Sequence, residues 1–185
     1  MHNMVTLNRT RIELTREVAA VEIPAGTETT LADGAILQLV HELGGDYTVR
    51  TMMGTMYRID GRNADALGYE VKADALPVVT NGEPTEDHIW EMLGRCYDPE
   101  IPVNIVELGL IYRMEIKSEL GEKLVEVDMT LTAPGCGMGQ VLMQDVERKV
   151  QSLDGVEKVV VDLTFDPPWT PERMSEEARL TTGLY

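Results

Sequence analysis

Apolar and polar positions alternate most clearly in the second half of the chain. Leu110, Tyr112, Met114 and Ile116 alternate with Arg113, Glu115 and Lys117, and Val125, Val127, Met129 and Leu131 alternate with Glu126, Asp128 and Thr130. A period of two predicts half-buried strands, and the connection Ser118 to Lys123, which contains Gly121, predicts that they pair as an antiparallel hairpin. The spacing then changes. Met138, Leu142, Val146, Val150 and Leu153 lie along one face of a predicted helix that Asp154-Gly155 stops. Val159, Val161, Leu163 and Phe165 return to a period of two, a third strand that the helical crossover allows to run parallel to the second.

A helix precedes the hairpin. Thr85 is its predicted N-cap, Glu86 and Asp87 its acidic first turn, and Ile89, Leu93 and Tyr97 its apolar face, with an end near Asp98-Pro99. Thr170-Pro171-Glu172 predicts a short final helix with Met174, Ala178 and Leu180 on its apolar side. The fold class expected for residues 85–185 is therefore α+β, a two-layer α-β-β-α-β domain with a mixed sheet.

Residues 1–80 read differently. Short runs such as Val18 to Ile23, Ala35 to Val40 and Tyr47 to Met52 are separated by Pro24-Ala25-Gly26, Asp33-Gly34 and Gly44-Gly45-Asp46, which predicts a small, mostly β N-terminal domain. Met52, Met53 and Met56 are expected to fill gaps in its core rather than to bind a soft metal. The boundary is expected at Thr80-Asn81-Gly82-Glu83-Pro84, where Asn-Gly favours a turn and the proline disfavours helix at Glu83.

Charge sharpens this division. The 185 residues carry a formal net charge of -16. Residues 1–80 hold seven basic and eleven acidic side chains, and residues 81–185 hold nine and twenty-one. Such an acidic surface repels a phosphate backbone, so nucleic acid is excluded as an expected partner. No apolar run approaches the roughly 18 residues of a membrane span, and Asn8, Arg9, Arg11 and Glu13 leave no signal-peptide core, so no membrane association and a cytoplasmic location are expected. With only Cys96 and Cys136, neither a disulfide framework nor a four-ligand structural zinc site is expected.

The chemistry that remains centres on Cys136. Glycines flank it and a helix is expected to begin just beyond it, so unpaired N–H groups would favour a thiolate. A thiolate serves as nucleophile or as metal ligand; the bland alternative is a small buried hydrophobe in a tight turn. Catalysis by a cysteine dyad lacks a base, since His88 is the only histidine after residue 80 and falls on the first helix, so no enzyme activity is expected. Asp98, Glu100 and Glu107 could ligate iron, with capping and turn formation as their default role. Trp169, in the rigid stretch Asp166-Pro167-Pro168-Trp169-Thr170-Pro171, is expected to pack at the core edge, with an interface anchor as the alternative.

Three segments in order, Asp98-Pro99-Glu100-Ile101-Pro102 through Glu107-Leu108-Gly109-Leu110, Thr130-Leu131-Thr132-Ala133-Pro134-Gly135-Cys136, and Asp166-Pro167-Pro168-Trp169-Thr170, closely resemble SufT-type iron-sulfur cluster assembly factors. The stretch from Pro24-Ala25-Gly26 to Asp65-Ala66-Leu67-Gly68 also resembles the extension carried by SufT proteins. The resemblance implies a cytosolic role in iron-sulfur protein maturation, with Cys136 as the metal-ligating residue. It places Asp98, Glu100, Glu107, Thr132, Pro134, Gly135 and Trp169 in the cluster loop or partner-binding surface. The implied cofactor is a labile iron-sulfur cluster, shared between chains because one thiol is too few for four ligands. The implied partners are other assembly proteins, apoprotein clients and a second copy of the chain. Two positions depart from the pattern: Gly137 stands where proline usually follows the cysteine, and Glu107 where aspartate is common. The competing expectation is a non-catalytic adaptor that docks assembly proteins or a multicomponent oxygenase without binding metal.

Overall fold

The computed structural model describes residues 10–72, 77–98, 101–119, 121–135 and 137–184. The chain forms two compact units, Met1–Asp74 and Ala75–Tyr185, and its architecture is α+β. Thr80–Gly82 is a 3-10 turn that belongs to the second unit, where a Cβ on Gly155 would collide with the Gly82 carbonyl and Lys123 pairs with Glu83 at 2.9 Å.

The first unit contains β1 (Arg11–Glu13), β2 (Val18–Ile23), β3 (Glu28–Leu31), β4 (Ile36–Leu43), β5 (Asp46–Thr51) and β6 (Met56–Ile59). They form one antiparallel sheet in the order β1-β4-β5-β6-β2-β3. Each turn cluster identified in the sequence separates two of these strands, because its glycines adopt the positive φ that tight connections need: Gly26, Gly34, Gly44 and Gly45 all do so. A 3-10 segment, Gly61–Leu67, covers the sheet and buries Ala64, Ala66 and Leu67. The methionine expectation fails here. Met52 and Met53 are 73% and 96% exposed at the β5–β6 turn, so they fill no core gap; a four-residue connection at a hairpin tip has no neighbouring layer to pack against.

The second unit contains α1 (Glu86–Leu93), β7 (Ile111–Glu119), β8 (Glu122–Met129), α2 (Gly139–Gln151), β9 (Lys158–Leu163) and α3 (Glu176–Thr182). Thr85 caps α1 as expected, and His88 completes a reciprocal box: its backbone N–H donates to Thr85 Oγ1, and its Nδ1 accepts from the Thr85 N–H at 3.1 Å. The helix stops at Leu93 rather than near Asp98. Tyr97 instead pairs with Asn104 in a single antiparallel bridge, so its helical spacing from Leu93 is coincidental.

β7 and β8 pair antiparallel and β8 pairs β9 in parallel, giving a three-stranded mixed sheet. The hairpin is tighter than the six-residue connection expected. Glu119 pairs with Glu122, and Gly121 turns at φ 88°. On the inner face Val125, Val127, Met129 and Val161 pack with Ile89 and Leu93 of α1 and with Leu142, Val146 and Val150 of α2. Charge is confined to the outer face. Glu115 and Glu126 lie directly opposite, a repulsive pair that Arg113 and Lys117 bridge. Lys117 donates to Glu126 at 2.6 Å and holds its carboxyl below the usual range, while the Lys117 ammonium is raised in turn.

The expected final helix divides in two. Pro171–Arg173 forms a 3-10 turn, and α3 restarts at Ser175, whose side chain accepts from the Ala178 N–H. Met174 and Ala178 are buried as expected, but Leu180 is 62% exposed, because a residue two positions beyond Ala178 lies on the opposite side of α3. Among the described residues of the helical layer, Asp145 and Lys149 are buried charges, and Arg148 also pairs with Asp145 at 2.5 Å. Asp145 on α2 pairs with Lys149 at 3.1 Å, and Lys149 Nζ also donates to the Arg95 carbonyl at 2.8 Å, tying α2 to the chain beyond α1.

Two measurements check this account. Lys149→Ala removes one of the two cations on the buried Asp145 carboxylate, leaving Arg148 on the other oxygen, and frees the Arg95 carbonyl; it is expected to cost about 2 kcal/mol in urea denaturation of the whole chain, and a loss within about 0.5 kcal/mol, on the order of a surface change, contradicts it. A carboxyl depressed in the folded state adds stability above its unfolded pKa and loses it as pH falls through the folded value. Glu126→Gln is therefore expected to flatten the fall in stability below about pH 4.3, and an unchanged acid limb would show that the cross-strand network contributes nothing.

Candidate functional site

The site is built from three segments that leave the same end of the second unit's sheet. Leu110 precedes β7, Thr130 follows β8 and Thr164 follows β9; the Thr130 N–H donates to the Leu110 carbonyl at 2.8 Å and the Thr164 N–H to the Met129 carbonyl at 2.9 Å. Antiparallel pairing of β7 with β8 and parallel pairing of β8 with β9 thus deliver residues 101–110, 130–135 and 164–175 to one end of the sheet.

The first segment begins as a loop whose stem is the Tyr97–Asn104 bridge. Asp98 is buried at its start; Glu100 lies outside the described residues. Asn104 Oδ1 then accepts from the N–H groups of Val106 and Glu107 at 3.0 and 2.9 Å, which folds residues 104–109 into a compact turn. Glu107 is half-buried on that turn. Gly109 closes it at φ 68°, and a Cβ there would collide with the Arg173 carbonyl.

The third segment fastens onto this turn. Trp169 is half-buried against the core, and its indole N–H donates to the Leu108 carbonyl at 2.8 Å. The Ser175 N–H donates to the Glu107 carbonyl at 2.9 Å, and Tyr112 Oη donates to the Pro167 carbonyl at 2.8 Å. The Arg173 guanidinium sits 3.9 Å from the centre of the Tyr112 ring.

The second segment is the exposed one. Thr132 is half-buried, whereas Pro134, Gly135 and Gly137 are exposed, and Gly135 turns at φ 84°. Cys136 itself lies outside the described residues. Met138 and Gly139 return the chain to the core, where a Cβ on Gly139 would strike the Leu131 side chain. Helix α2 starts at Gly139 without a side-chain cap among the described residues, so its first-turn N–H groups favour negative charge nearby. Cys96, by contrast, is fully buried, its Sγ 3.7 Å from the Met92 carbonyl oxygen.

Several contributors were absent from the sequence expectations. Asn104 and Gly109 carry local signals, an Asx turn and a left-handed glycine. The docking of Arg173 on Tyr112 and of Ser175 on Glu107 joins positions more than 60 residues apart and has none. Thr130 Oγ1 is buried without a hydrogen-bond partner among the described residues. No group of three or more His, Cys, Asp or Glu side chains among the described residues could hold a metal, so Asp98 and Glu107 do not form an iron site together with a third described ligand. No helix of the described residues is long and apolar enough to cross a membrane.

The family model described as iron-sulfur cluster assembly protein matches residues 86–163. An Fe-S protein maturation auxiliary factor of Porphyromonas gingivalis is 48% identical over 100 residues, 54% of this chain and 92% of that protein. The Fe-S protein maturation auxiliary factor SufT of Staphylococcus aureus is 34% identical over 87 residues, 47% of this chain and 96% of that protein. Among solved structures, a conserved hypothetical protein of Thermotoga maritima aligns with a TM-score of 0.50 at 37% identity, covering 57% of this chain and all of that one. The chain belongs to the iron-sulfur cluster assembly protein family. Within it, the chain is a SufT-type factor.

The clasp between the first and third segments makes a direct test. Gly109→Ala forces a side chain into positive φ and against the Arg173 carbonyl, and is expected to destabilise the protein by about 2 kcal/mol. It should also shift Trp169 fluorescence as the indole leaves Leu108; unaltered stability and emission would contradict the clasp.

Proposed function

We propose that this chain, an iron-sulfur maturation factor, carries a labile iron-sulfur cluster and delivers it to apoproteins through Cys136. The observation that supports this most is the convergence of its three motif segments at one sheet edge, with the cysteine loop flanked by exposed Pro134, Gly135 and Gly137. The uncapped first turn of α2 adds a field that lowers the cost of a nearby thiolate, the form that binds iron. The cluster is cargo rather than a fixture of the protein, and no bond is broken or formed in a substrate other than the cluster's own ligation.

One thiol leaves most ligand positions of a cluster unfilled. A second copy of the chain, or an assembly protein, therefore supplies the remainder, and clients receive the cluster by ligand exchange. Asp98, Glu100, Glu107, Thr132 and Trp169 shape the loop and the partner surface in this reading. The cytoplasm, where such thiols stay reduced, is the fitting compartment.

Anaerobic reconstitution of the whole chain with iron and sulfide, read by visible absorption, tests the proposal. Wild type is expected to develop cluster absorption and Cys136→Ser to lose most of it. Equal iron and sulfide in both would remove Cys136 as a ligand. If the variant also kept its assembly partners in an anaerobic pull-down, the chain would be an adaptor.

A further inference from the structure

A cleft of about 290 Å³ opens between the Tyr97–Glu107 segment and α3. Val103 and Ala178, both buried, are among its apolar lining residues, and Tyr97, Glu107 and Glu177 contribute an aromatic ring and two carboxylates. No basic residue lines it, and neither carboxylate has an ion pair or side-chain hydrogen bond among the described residues. Four acidic side chains elsewhere in this unit have cationic partners, Glu91 with Arg95, Asp128 with Arg113, Glu126 with Lys117 and Asp145 with Lys149; the two cleft carboxylates do not. The cleft is thus a concave place where negative charge is left uncompensated.

We infer that this cleft receives an arginine side chain from a partner protein. Its volume lies at the low end for ligand pockets, the scale of one long side chain rather than of a drug-sized molecule. A metal ion is the poorer occupant, because two carboxylates are too few for a dedicated site and the space far exceeds an ion's needs. Between the two basic side chains, the guanidinium fits better. Its planar fork can donate to carboxylates on two walls at once and its face can stack on an aromatic ring, whereas an ammonium is a compact, strongly hydrated point charge. The net charge of -16 draws a basic partner toward the surface, and the cleft supplies a defined seat once it arrives.

The inference deepens the partner-docking part of the reading above and rests on it, since Glu107 also sits on the turn that Ser175 and Trp169 clasp. It does not depend on Cys136.

The test is titration of the isotopically labelled full chain with N-acetyl-arginine amide, with N-acetyl-lysine amide and with magnesium chloride, followed by amide NMR. Arginine amide is expected to give saturable shifts at Asn104, Glu107, Ala178 and Thr181. Glu177→Gln and Glu107→Gln should each weaken it about fivefold, as loss of one charge-assisted hydrogen bond implies. Glu177 is exposed, so that variant is expected to keep the wild-type spectrum outside the cleft. No shift with arginine amide, an equal response to lysine amide, or the same shifts with magnesium would each overturn the inference. Cluster loading distinguishes the two proposals: Cys136→Ser should bind arginine amide as wild type does, and Glu177→Gln should load a cluster as wild type does. Failure of the titration with normal loading sinks only the cleft.

Discussion

The parallel register of β8 and β9, with Val127 opposite Val161 and Met129 opposite Leu163, is the constraint on which the site depends. An antiparallel β9 would send residues 164–175 to the far end of the sheet, away from the turn that Trp169 and Ser175 clasp. The α2 crossover enforces the parallel arrangement, because a strand that returns by way of a helix re-enters the sheet in the same direction. Burial of Val146 and Val150 against Val125 and Val127 then holds the helix on the sheet. Core packing and site assembly are thus one event.

Charge is divided by face. The outer surface of the sheet neutralises itself through Arg113 and Lys117, so the opposed glutamates do not oppose pairing. In the helical layer, the buried Asp145 carboxylate meets the buried Lys149 ammonium and the Arg148 guanidinium. The acidity that gives the chain its net charge is left largely for exposed positions, where water screens it. This separation lets a maturation factor present a strongly polarised surface without weakening its core.

The cysteine loop has the opposite character from the clasped loop beside it. Residues 104–109 are held by an Asx turn, a left-handed glycine and bonds from Trp169 and Ser175. Residues 133–135 are exposed, with a glycine in open space at Gly135. In the carrier role proposed above, a clasped turn beside an exposed segment suits a cargo that is held and then surrendered. Gly137 is exposed as well.

The sequence by itself determined the elements. Strands and helices with strong periodicity, the Thr85 cap and the Gly155 stop were legible because each depends on neighbours a few residues away; the helical crossover allowed a parallel third strand without deciding it. The resemblance of three separated segments was equally legible, since motifs survive as strings of residues. Local signals misled where they were read too loosely: Tyr97 kept helical phase beyond a helix that had ended, Leu180 was placed on the face of Ala178 although two positions along a helix point opposite ways, and the methionines of the β5–β6 turn were given a core that a hairpin tip cannot offer. Only the tertiary structure decided that Arg173 lies over Tyr112, that Trp169 donates to Leu108, and that Glu107 and Glu177 share one cleft. Those contacts join residues about 60 or more positions apart, and a periodicity read along the chain holds no information about which distant positions the packing of a sheet and its helices will bring face to face.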